Sequence, residues 1–228
     1  CRGTLDHIVP LGRKPSWPCI VVCGDGGGGG LGANAGLRQH LQNLYLYGVL
    51  RAAYMAQAHI IDSGLGSAIS VVAPPTNRSD FSRGLCQVGI LPSGIEEPVS
   101  RYHTHQIMLA DFAGWGDRPE EFARAKFDMV RRLVGAQCRA VCILFNAGHA
   151  AFEEVEESCR LGIPCVVIVG SGPLADELCA AHARAKAKST LESLVSGLPE
   201  EDSSVADTIR RQMYHCTDYP KLGRLVSE

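Results

Sequence analysis

Six short apolar runs, separated by longer segments with helical periodicity, constrain this chain more than any other feature of its sequence. The clearest runs are "CIVVC" at 19–23, "AVCIL" at 140–144 and "CVVIV" at 165–169. Strands that are apolar throughout and alternate with helices are typical of a parallel sheet covered on both faces. The alternation predicts an α/β fold: a Rossmann-like, doubly wound, mostly parallel sheet with helices on both faces.

The segments between these runs predict the helices. The first helix follows a glycine run and carries apolar side chains at helical spacing, namely Leu37, Leu41, Leu44, Leu50 and Met55. A later helix has Pro119 in its first turn and one apolar side formed by Phe122, Phe127, Val130 and Leu133. Gly162 predicts the end of the next helix, and a long helix follows the last strand.

Changes in composition divide the 228 residues into three parts. Residues 1–17 are polar and rich in proline and form an N-terminal arm, whereas 18–195 carry the predicted strands and form one Rossmann-like domain. The stretch "GLPEEDSS" interrupts the chain, so 196–228 is predicted as a C-terminal helical extension. Because the chain begins at Cys1 rather than at methionine, a fragment of a longer protein is one interpretation.

Charge, hydropathy and cysteine usage exclude several classes of protein. A net charge of −2 argues against nucleic acid or an anionic membrane as the main partner. The apolar runs are far shorter than the ~20 residues that span a bilayer. The ten cysteines never form C-x-x-C, which argues against a metal site. Reduced thiols and a cytoplasmic location are predicted because five cysteines fall in apolar runs: Cys19, Cys23, Cys138, Cys142 and Cys165.

Glycine and short polar residues follow every predicted strand. The six strand ends read "GDGGGGG", "DSGLGS", "PSGIEEP", "DFAGWGD", "NAGHAAF" and "GSGPLAD". In open α/β sheets, ligands bind outside the carboxyl ends of the strands, at the point where the strand order reverses. The placement of these residues at one edge of one sheet therefore predicts a ligand cleft.

Two of these loops are candidate phosphate sites, since a glycine loop before a helix exposes backbone N–H groups. Two such loops at one cleft suit a diphosphate or a nucleotide, whereas the alternative is that both are tight turns between a strand and a helix. Asp62 could accept a ribose hydroxyl, but it lies too far from the first loop for an NAD-dehydrogenase site. The first loop contains Gly24, Asp25, Gly26, Gly27 and Gly28, and the second contains Gly170, Ser171 and Gly172.

Three other features allow both a functional and a structural interpretation. His103 and His105 could form an acid/base or metal pair, but hydrogen bonding at a strand entrance is the favoured interpretation. Trp115 could stack on a base or pack over the edge of the sheet. A solvated helix face is predicted for the four acids Glu153, Glu154, Glu156 and Glu157.

The order of these motifs resembles the SLOG superfamily. The motifs are "CGDGGGGG", "IIDSGLGSAI", "VGILPSG", "HTHQIMLAD", "GWGD" and the long stretch from "AVCILFNAG" to "GSGPLADEL". The likeness covers about residues 18–182 and is greatest to the N-terminal cytosolic domain of TRPM channels and its free-standing prokaryotic relatives. The resemblance implies a Rossmann-like fold that binds nucleotide-type ligands, with ADP-ribose known in some TRPM members. It places further candidates at Ser63, Gly64, Trp115, Arg124, Asn146 and Gly148, beside Asp62 and the two glycine loops.

Two departures from the superfamily bear on function. Pro173 stands where ADP-ribose-binding channel domains have an arginine after "GSG", which argues against a strongly anionic ligand. Enzymes of the superfamily that cleave N-glycosidic bonds carry a "PGGxGTxxE" loop, and the stretch "NAGHAAFEEV" lacks that pattern. Its nearest acid, Glu154, is interpreted as lying outside the position of the motif's glutamate.

The sequence therefore predicts a cytoplasmic nucleotide-binding or sensing module for ADP-ribose, NAD or a related nucleotide. Its predicted partners are this small molecule and either a further copy of the chain or a parent TRPM-like chain, with no nucleic acid and no membrane contact. One alternative is a lysine-decarboxylase-like or phosphoribohydrolase-like enzyme that uses Asp62, His103 or His105 as acid or base. Another is a structural domain with a vestigial cleft.

Overall fold

Six parallel strands form the sheet in the computed structural model, which describes residues 18–24, 35–64, 85–96, 103–114, 117–134, 139–145 and 149–196. The predicted α/β fold is therefore confirmed. The strands are β1 (Cys19–Cys23), β2 (His59–Asp62), β3 (Gln87–Pro92), β4 (His105–Leu109), β5 (Ala140–Leu144) and β6 (Cys165–Val167). The helices are α1 (Ala35–Leu44), α2 (Arg51–Ala56), α3 (Pro119–Val134), α4 (His149–Arg160) and α5 (Pro173–Ser196), with a π-helical segment (Tyr45–Leu50) between α1 and α2.

The strand order places the reversal of the sheet beside its first strand. The order is β4-β3-β2-β1-β5-β6, and Cys19 pairs with His59 on one side and with Ala140 on the other. The chain builds outward from β1 to β4 and then returns to the opposite side of β1 to form β5. The carboxyl ends of β1 and β5 are consequently the switch point at which ligands bind in sheets of this kind.

The helix pair α1–α2 covers one face of the sheet. Val22 and Ile60 pack there against Leu41, Tyr45 and other apolar side chains of the helices. Helix formation after the glycine run is confirmed, but not every apolar side chain on it is buried: Leu44 and Met55 are exposed, Met55 by 74%. The π-helical segment explains the exposure of Met55, because its wider turn rotates the buried side of the helix between α1 and α2, whereas Leu44 precedes this segment.

Helices α3 and α4 pack together, and α4 contacts β1, β5 and β6. The predicted apolar side of α3 is confirmed, since Phe122, Phe127, Val130 and Leu133 are all buried. Helix α4 ends as predicted at Gly162, which has a φ of +69°. There the N–H groups of Gly162 and Ile163 donate to the carbonyls of Cys159 and Ser158, a Schellman ending.

The chain divides into two units, Cys1–Ala175 and Asp176–Glu228. The first contains the whole sheet, and the described part of the second is the remainder of α5. The predicted boundaries at 17/18 and 195/196 stay predictions. Among the helices of the described residues, none combines the length and the apolar character needed to cross a membrane.

Candidate functional site

The carboxyl ends of β1 and β2 hold four of the predicted site residues. Gly24 follows β1 with a φ of +78°, and Asp62, Ser63 and Gly64 end β2. Other predicted residues lie outside the described part of the chain, and their assignment stays a prediction. These residues are Asp25, Gly26, Gly27, Gly28, Trp115, Asn146 and Gly148.

Asp62 is a buried anchor between two segments. Its Oδ1 accepts hydrogen bonds from the backbone N–H of Gly64 at 2.8 Å and from Nε2 of His103 at 2.5 Å. The side chains of Asp62 and His103 have no exposed surface. The carboxylate that the sequence suggested for a ribose hydroxyl therefore holds the turn after β2 and fixes the segment that enters β4.

Two glycines make this arrangement possible. A Cβ on Gly89 would lie 2.5 Å from Cα of Gly64 and 3.5 Å from Cδ2 of His103. A Cβ on Gly64, whose φ is +71°, would lie 2.6 Å from Cδ2 of Leu91. Gly64 is thus required by packing. The sequence analysis missed Gly89, although glycine inside an apolar strand is itself a signal of close backbone approach.

Ser63 differs from its neighbours in having an unused hydroxyl. The residue is 3% exposed, and its Oγ has no hydrogen-bond partner among the described residues. Buried polar groups are nearly always hydrogen-bonded, so each exception calls for a missing partner. Its position after the second strand places this hydroxyl at the predicted ligand edge.

The second glycine loop forms a tight turn. The backbone N–H of Ser171 donates to the carbonyl of Ile168 at 3.2 Å, and the Ser171 hydroxyl donates to the same oxygen at 2.5 Å. Gly170, with a φ of +74°, occupies the third position of this turn, where a positive φ favours glycine. Both polar groups of Ser171 are therefore directed toward the protein backbone, and α5 begins two residues later at Pro173.

The two histidines at the start of β4 have separate partners. His103 bonds to Asp62, whereas Nδ1 of His105 lies 3.0 Å from Oγ1 of Thr104 and 3.8 Å from Sγ of Cys86. The Thr104 hydroxyl also donates to the Gln87 carbonyl at 2.7 Å. These contacts agree with hydrogen bonding at a strand entrance. Within the described ranges, no group of three His, Cys, Asp or Glu side chains could hold a metal ion.

The acidic side of α4 is not solvated, and that prediction is wrong for three of the four glutamates. Glu153, Glu154 and Glu157 are buried, and Glu156 is exposed. The reason is that α4 packs against α3 as well as the sheet, and basic partners offset the buried charge. Arg160 pairs with Glu157 at 2.5 Å.

The partner of Glu154 is Lys126 of α3, which the sequence analysis missed. Its Nζ lies 2.9 Å from each carboxylate oxygen. Counted from Asn146, Glu154 is the ninth residue, which is the place of the glutamate in "PGGxGTxxE". The interpretation that Glu154 lies outside that position is therefore wrong, and the buried carboxylate is bonded to a lysine.

Arg124 is not brought to the buried groups at the end of β2. Its side chain is 61% exposed on α3, and its Nη2 lies 3.9 Å from Oε2 of Glu120. A different arginine, Arg118, stands just before α3 with a φ of +50°. Its guanidinium lies 5.1 Å from the centre of the Phe112 ring and donates to the Asp111 carbonyl.

The parallel sheet, its switch point and the buried serine define a Rossmann-like α/β domain with a candidate ligand site at the carboxyl edge. A family model described as "SLOG in TRPM, prokaryote" matches residues 18–218. The chain belongs to this family, and the resemblance inferred from its motifs is confirmed.

Solved structures give weaker likenesses. An X-ray structure of the structural-genomics target TM1055 is 18% identical, with a TM-score of 0.46, over 71% of this chain and 79% of that chain. A molybdenum cofactor binding protein from the phototrophic bacterium Rippkaea orientalis is 18% identical, with a TM-score of 0.42, over 72% of this chain and 82% of that chain. No curated protein matches the chain.

Proposed function

We propose that this domain binds a nucleotide, ADP-ribose, NAD or a related molecule, at the carboxyl edge of β1 and β2. The observation that carries the proposal is the Ser63 hydroxyl, which is buried and has no partner among the described residues. A ligand hydroxyl or amide at this edge would supply the missing hydrogen bond. The positive φ of Gly24 and the switch point beside β1 add support for ligand approach at the same edge.

The test is calorimetric titration of the full chain with ADP-ribose, NAD and AMP, supported by thermal shift. A ligand that binds only the folded state raises its stability by about 2.7 kcal/mol at a concentration of 100 Kd. Ser63→Ala should weaken binding by about 2- to 10-fold, the usual contribution of one neutral hydrogen bond, and leave the ligand-free protein as stable as before.

Ser158→Ala is the matched control. Ser158 is also buried, but its hydroxyl donates to the Ile163 carbonyl at 2.9 Å. This variant should lose about 1 kcal/mol of folding stability and keep its nucleotide affinity. If no phosphate-bearing ligand binds the wild-type protein at millimolar concentration, the proposal fails and a structural domain with a vestigial cleft becomes the better account.

A hydrolytic enzyme is the second candidate, favoured by one observation: Glu154 stands at the ninth position counted from Asn146. Two observations oppose it. Glu154 bonds to buried Lys126, and Asp62 bonds to buried His103, so neither carboxylate is exposed for acid/base chemistry. We expect no release of nucleobase from any bound nucleotide over hours, and release that disappears in Glu154→Gln would overturn the choice of a binding module.

The cellular setting is also part of the proposal. The domain is proposed to act in the cytoplasm, with a further copy of itself or a channel-like parent chain as its protein partner. Cell fractionation of the natural protein tests the location, and light scattering of the purified chain with and without nucleotide tests self-association.

A further inference from the structure

A buried ion pair joins α3 and α4 outside the predicted contacts with ligand. The Lys126 side chain is 1% exposed and the Glu154 side chain 7%. The lysine Nζ lies 2.9 Å from both carboxylate oxygens, so the contact is symmetrical and directional. Lysine is almost never fully buried unless it is paired, so the pair requires an explanation.

The pair lies beneath the switch point. By the alternation of side chains along a strand, Cys23 at the end of β1 and Cys142 in β5 share one face of the sheet, and their Sγ atoms are 4.0 Å apart. Lys126 and Glu154 interact electrostatically with both thiols. They therefore lie close to these thiols, on the same face of β1 and β5.

The pair is also close to the starts of both helices. Lys126 is about 10 Å along the axis from the start of α3 at Pro119, and Glu154 is about 8 Å from the start of α4 at His149. In the sequence, α4 begins directly after Asn146 and Gly148, and α3 begins four residues after Trp115. Helix α4 also contacts β1 and β5, whose carboxyl ends form the switch point, so fixing α4 against α3 bears on that edge of the sheet.

Stability alone does not explain the pair. Replacing a buried ion pair by apolar side chains of similar volume is often neutral or stabilising, because both charges must be removed from water. Apolar contact is non-directional, whereas two N–O contacts define how far one helix is displaced along the other. The geometry points to Lys126 and Glu154 as positioning residues that set the register of α4 against α3 and thereby the geometry of the nucleotide site. The inference about the site rests on the proposed function.

Three variants of the full chain test the inference: the apolar pair Lys126→Met/Glu154→Leu, the exchanged pair Lys126→Glu/Glu154→Lys, and Arg132→Met as a control on an exposed residue of α3. The apolar pair should melt within about 5 °C of wild type. Its amides at 153–156 should nevertheless exchange with solvent about tenfold faster in ligand-free protein. Its nucleotide affinity should fall about tenfold, because the site is no longer preorganised.

The exchanged pair restores a directional contact, so its amide exchange rates and its nucleotide affinity should be closer to the wild-type values than those of the apolar pair. Arg132→Met should have the wild-type exchange rates and the wild-type affinity. An apolar pair with wild-type exchange and wild-type affinity would overturn the inference. If the apolar pair does not fold, Lys126→Arg takes its place, because a guanidinium in the space of the ammonium changes the contact with Glu154. Wild-type exchange at 153–156 together with wild-type affinity in Lys126→Arg would then count against positioning. If wild type binds no nucleotide, the proposed function fails, whereas the exchange measurement still decides the register.

Discussion

At the scale of single residues, the end of β2 shows how one missing side chain determines a local structure. Gly64, whose N–H donates to Asp62, packs against Gly89 of the neighbouring strand, and this close approach is possible because Gly89 has no Cβ. Gly89→Ala places a methyl group 2.5 Å from the Gly64 Cα. We expect a loss of about 1–3 kcal/mol in the free energy of unfolding, measured by urea denaturation.

The same substitution at Gly48 is the control. Gly48 is exposed in the π-helical segment, and a Cβ there would meet only Cδ1 of Leu44 at 3.6 Å, an ordinary contact. Gly48→Ala should leave stability unchanged or raise it by up to about 1 kcal/mol, because alanine restricts the unfolded chain. Equal losses in both variants would contradict the role assigned to Gly89.

The pKa of His59 leads to a prediction of how the folding stability depends on pH. Burial and the nearby His105 lower its pKa below the usual 6.5. Below about pH 6.5, the unfolded chain therefore protonates His59 more readily than the folded protein does. The contribution of His59 to the free energy of unfolding is fully present above about pH 6.5 and is lost as the pH falls. The loss is limited to about 1.4 kcal/mol per pH unit for this one group.

Thermal melts at pH 7.5 and 5.5 measure this effect. His59→Gln should show a smaller difference between the two pH values than wild type does. His40, an exposed histidine of α1, provides the matched substitution, and His40→Gln should keep the wild-type difference. A His59→Gln variant with an unchanged difference would show that other groups cause the pH dependence.

At the scale of elements, the start of α5 bears on the proposed binding of an anionic ligand. The Ser171 N–H and hydroxyl are bonded to Ile168, Pro173 has no N–H, and Asp176 places a negative charge in the first turn. Pro173→Arg adds a guanidinium that can bind phosphate through two hydrogen bonds. We expect this variant to bind ADP-ribose about tenfold more tightly than wild type does.

Pro173→Gln separates charge from the loss of proline, since glutamine is flexible and polar but neutral. It should bind ADP-ribose as wild type does. AMP, with a single phosphate, provides a second comparison and should gain less from Pro173→Arg than ADP-ribose gains. Similar gains for the arginine and glutamine variants would indicate that proline, rather than the missing charge, restricts the ligand.

At the scale of the whole molecule, the described strands of the sheet carry cysteines as thiols rather than as disulfides. None of the seven cysteines among the described residues forms a disulfide, and the Sγ atoms of Cys23 and Cys142, 4.0 Å apart, share a weak hydrogen bond. That bond and burial raise the pKa of Cys23. We expect freshly isolated protein to contain ten free thiols after denaturation in alkylating agent.

Mass spectrometry of the alkylated chain measures this number. Without denaturant, Cys23 should react far more slowly than the partly exposed Cys86 because the thiolate is the reactive form. A peptide pair joined by a disulfide in protein isolated under alkylating conditions would contradict the predicted reducing environment.

The strand and helix sequence could be predicted because it depends on local patterns. Each of the six predicted apolar runs contains a parallel strand, and Gly162 ended α4 as expected. The exposure of Met55 in α2 was not predictable from a period of 3.6, since the π-helical segment changes that period within one continuous helix.

The site was harder to predict because burial depends on contacts between distant residues. Glu154 has the sequence context of a surface acid, and only Lys126, 28 positions earlier, makes its burial tolerable. The sequence likewise suggested that Asp62 was available to a ligand, but its carboxylate bonds to His103, which lies 41 positions later in the chain. Ser63, identified from the family resemblance, is buried without a partner among the described residues, and its role as a ligand contact stays a prediction.

The strand order has a consequence for how the chain reaches its native state. During synthesis β1 can pair with β2 early, but its other edge must wait until β5, about 120 residues later, has left the ribosome. Loop-closure entropy opposes such distant pairing, and folding slows as the mean sequence separation of contacts rises. A central strand with one open apolar edge is also a template for pairing with another chain. This central strand, fully buried in the finished sheet, is thus the most vulnerable part of the sheet on the ribosome, and chaperone binding to nascent chains should be greatest before residue 144 emerges.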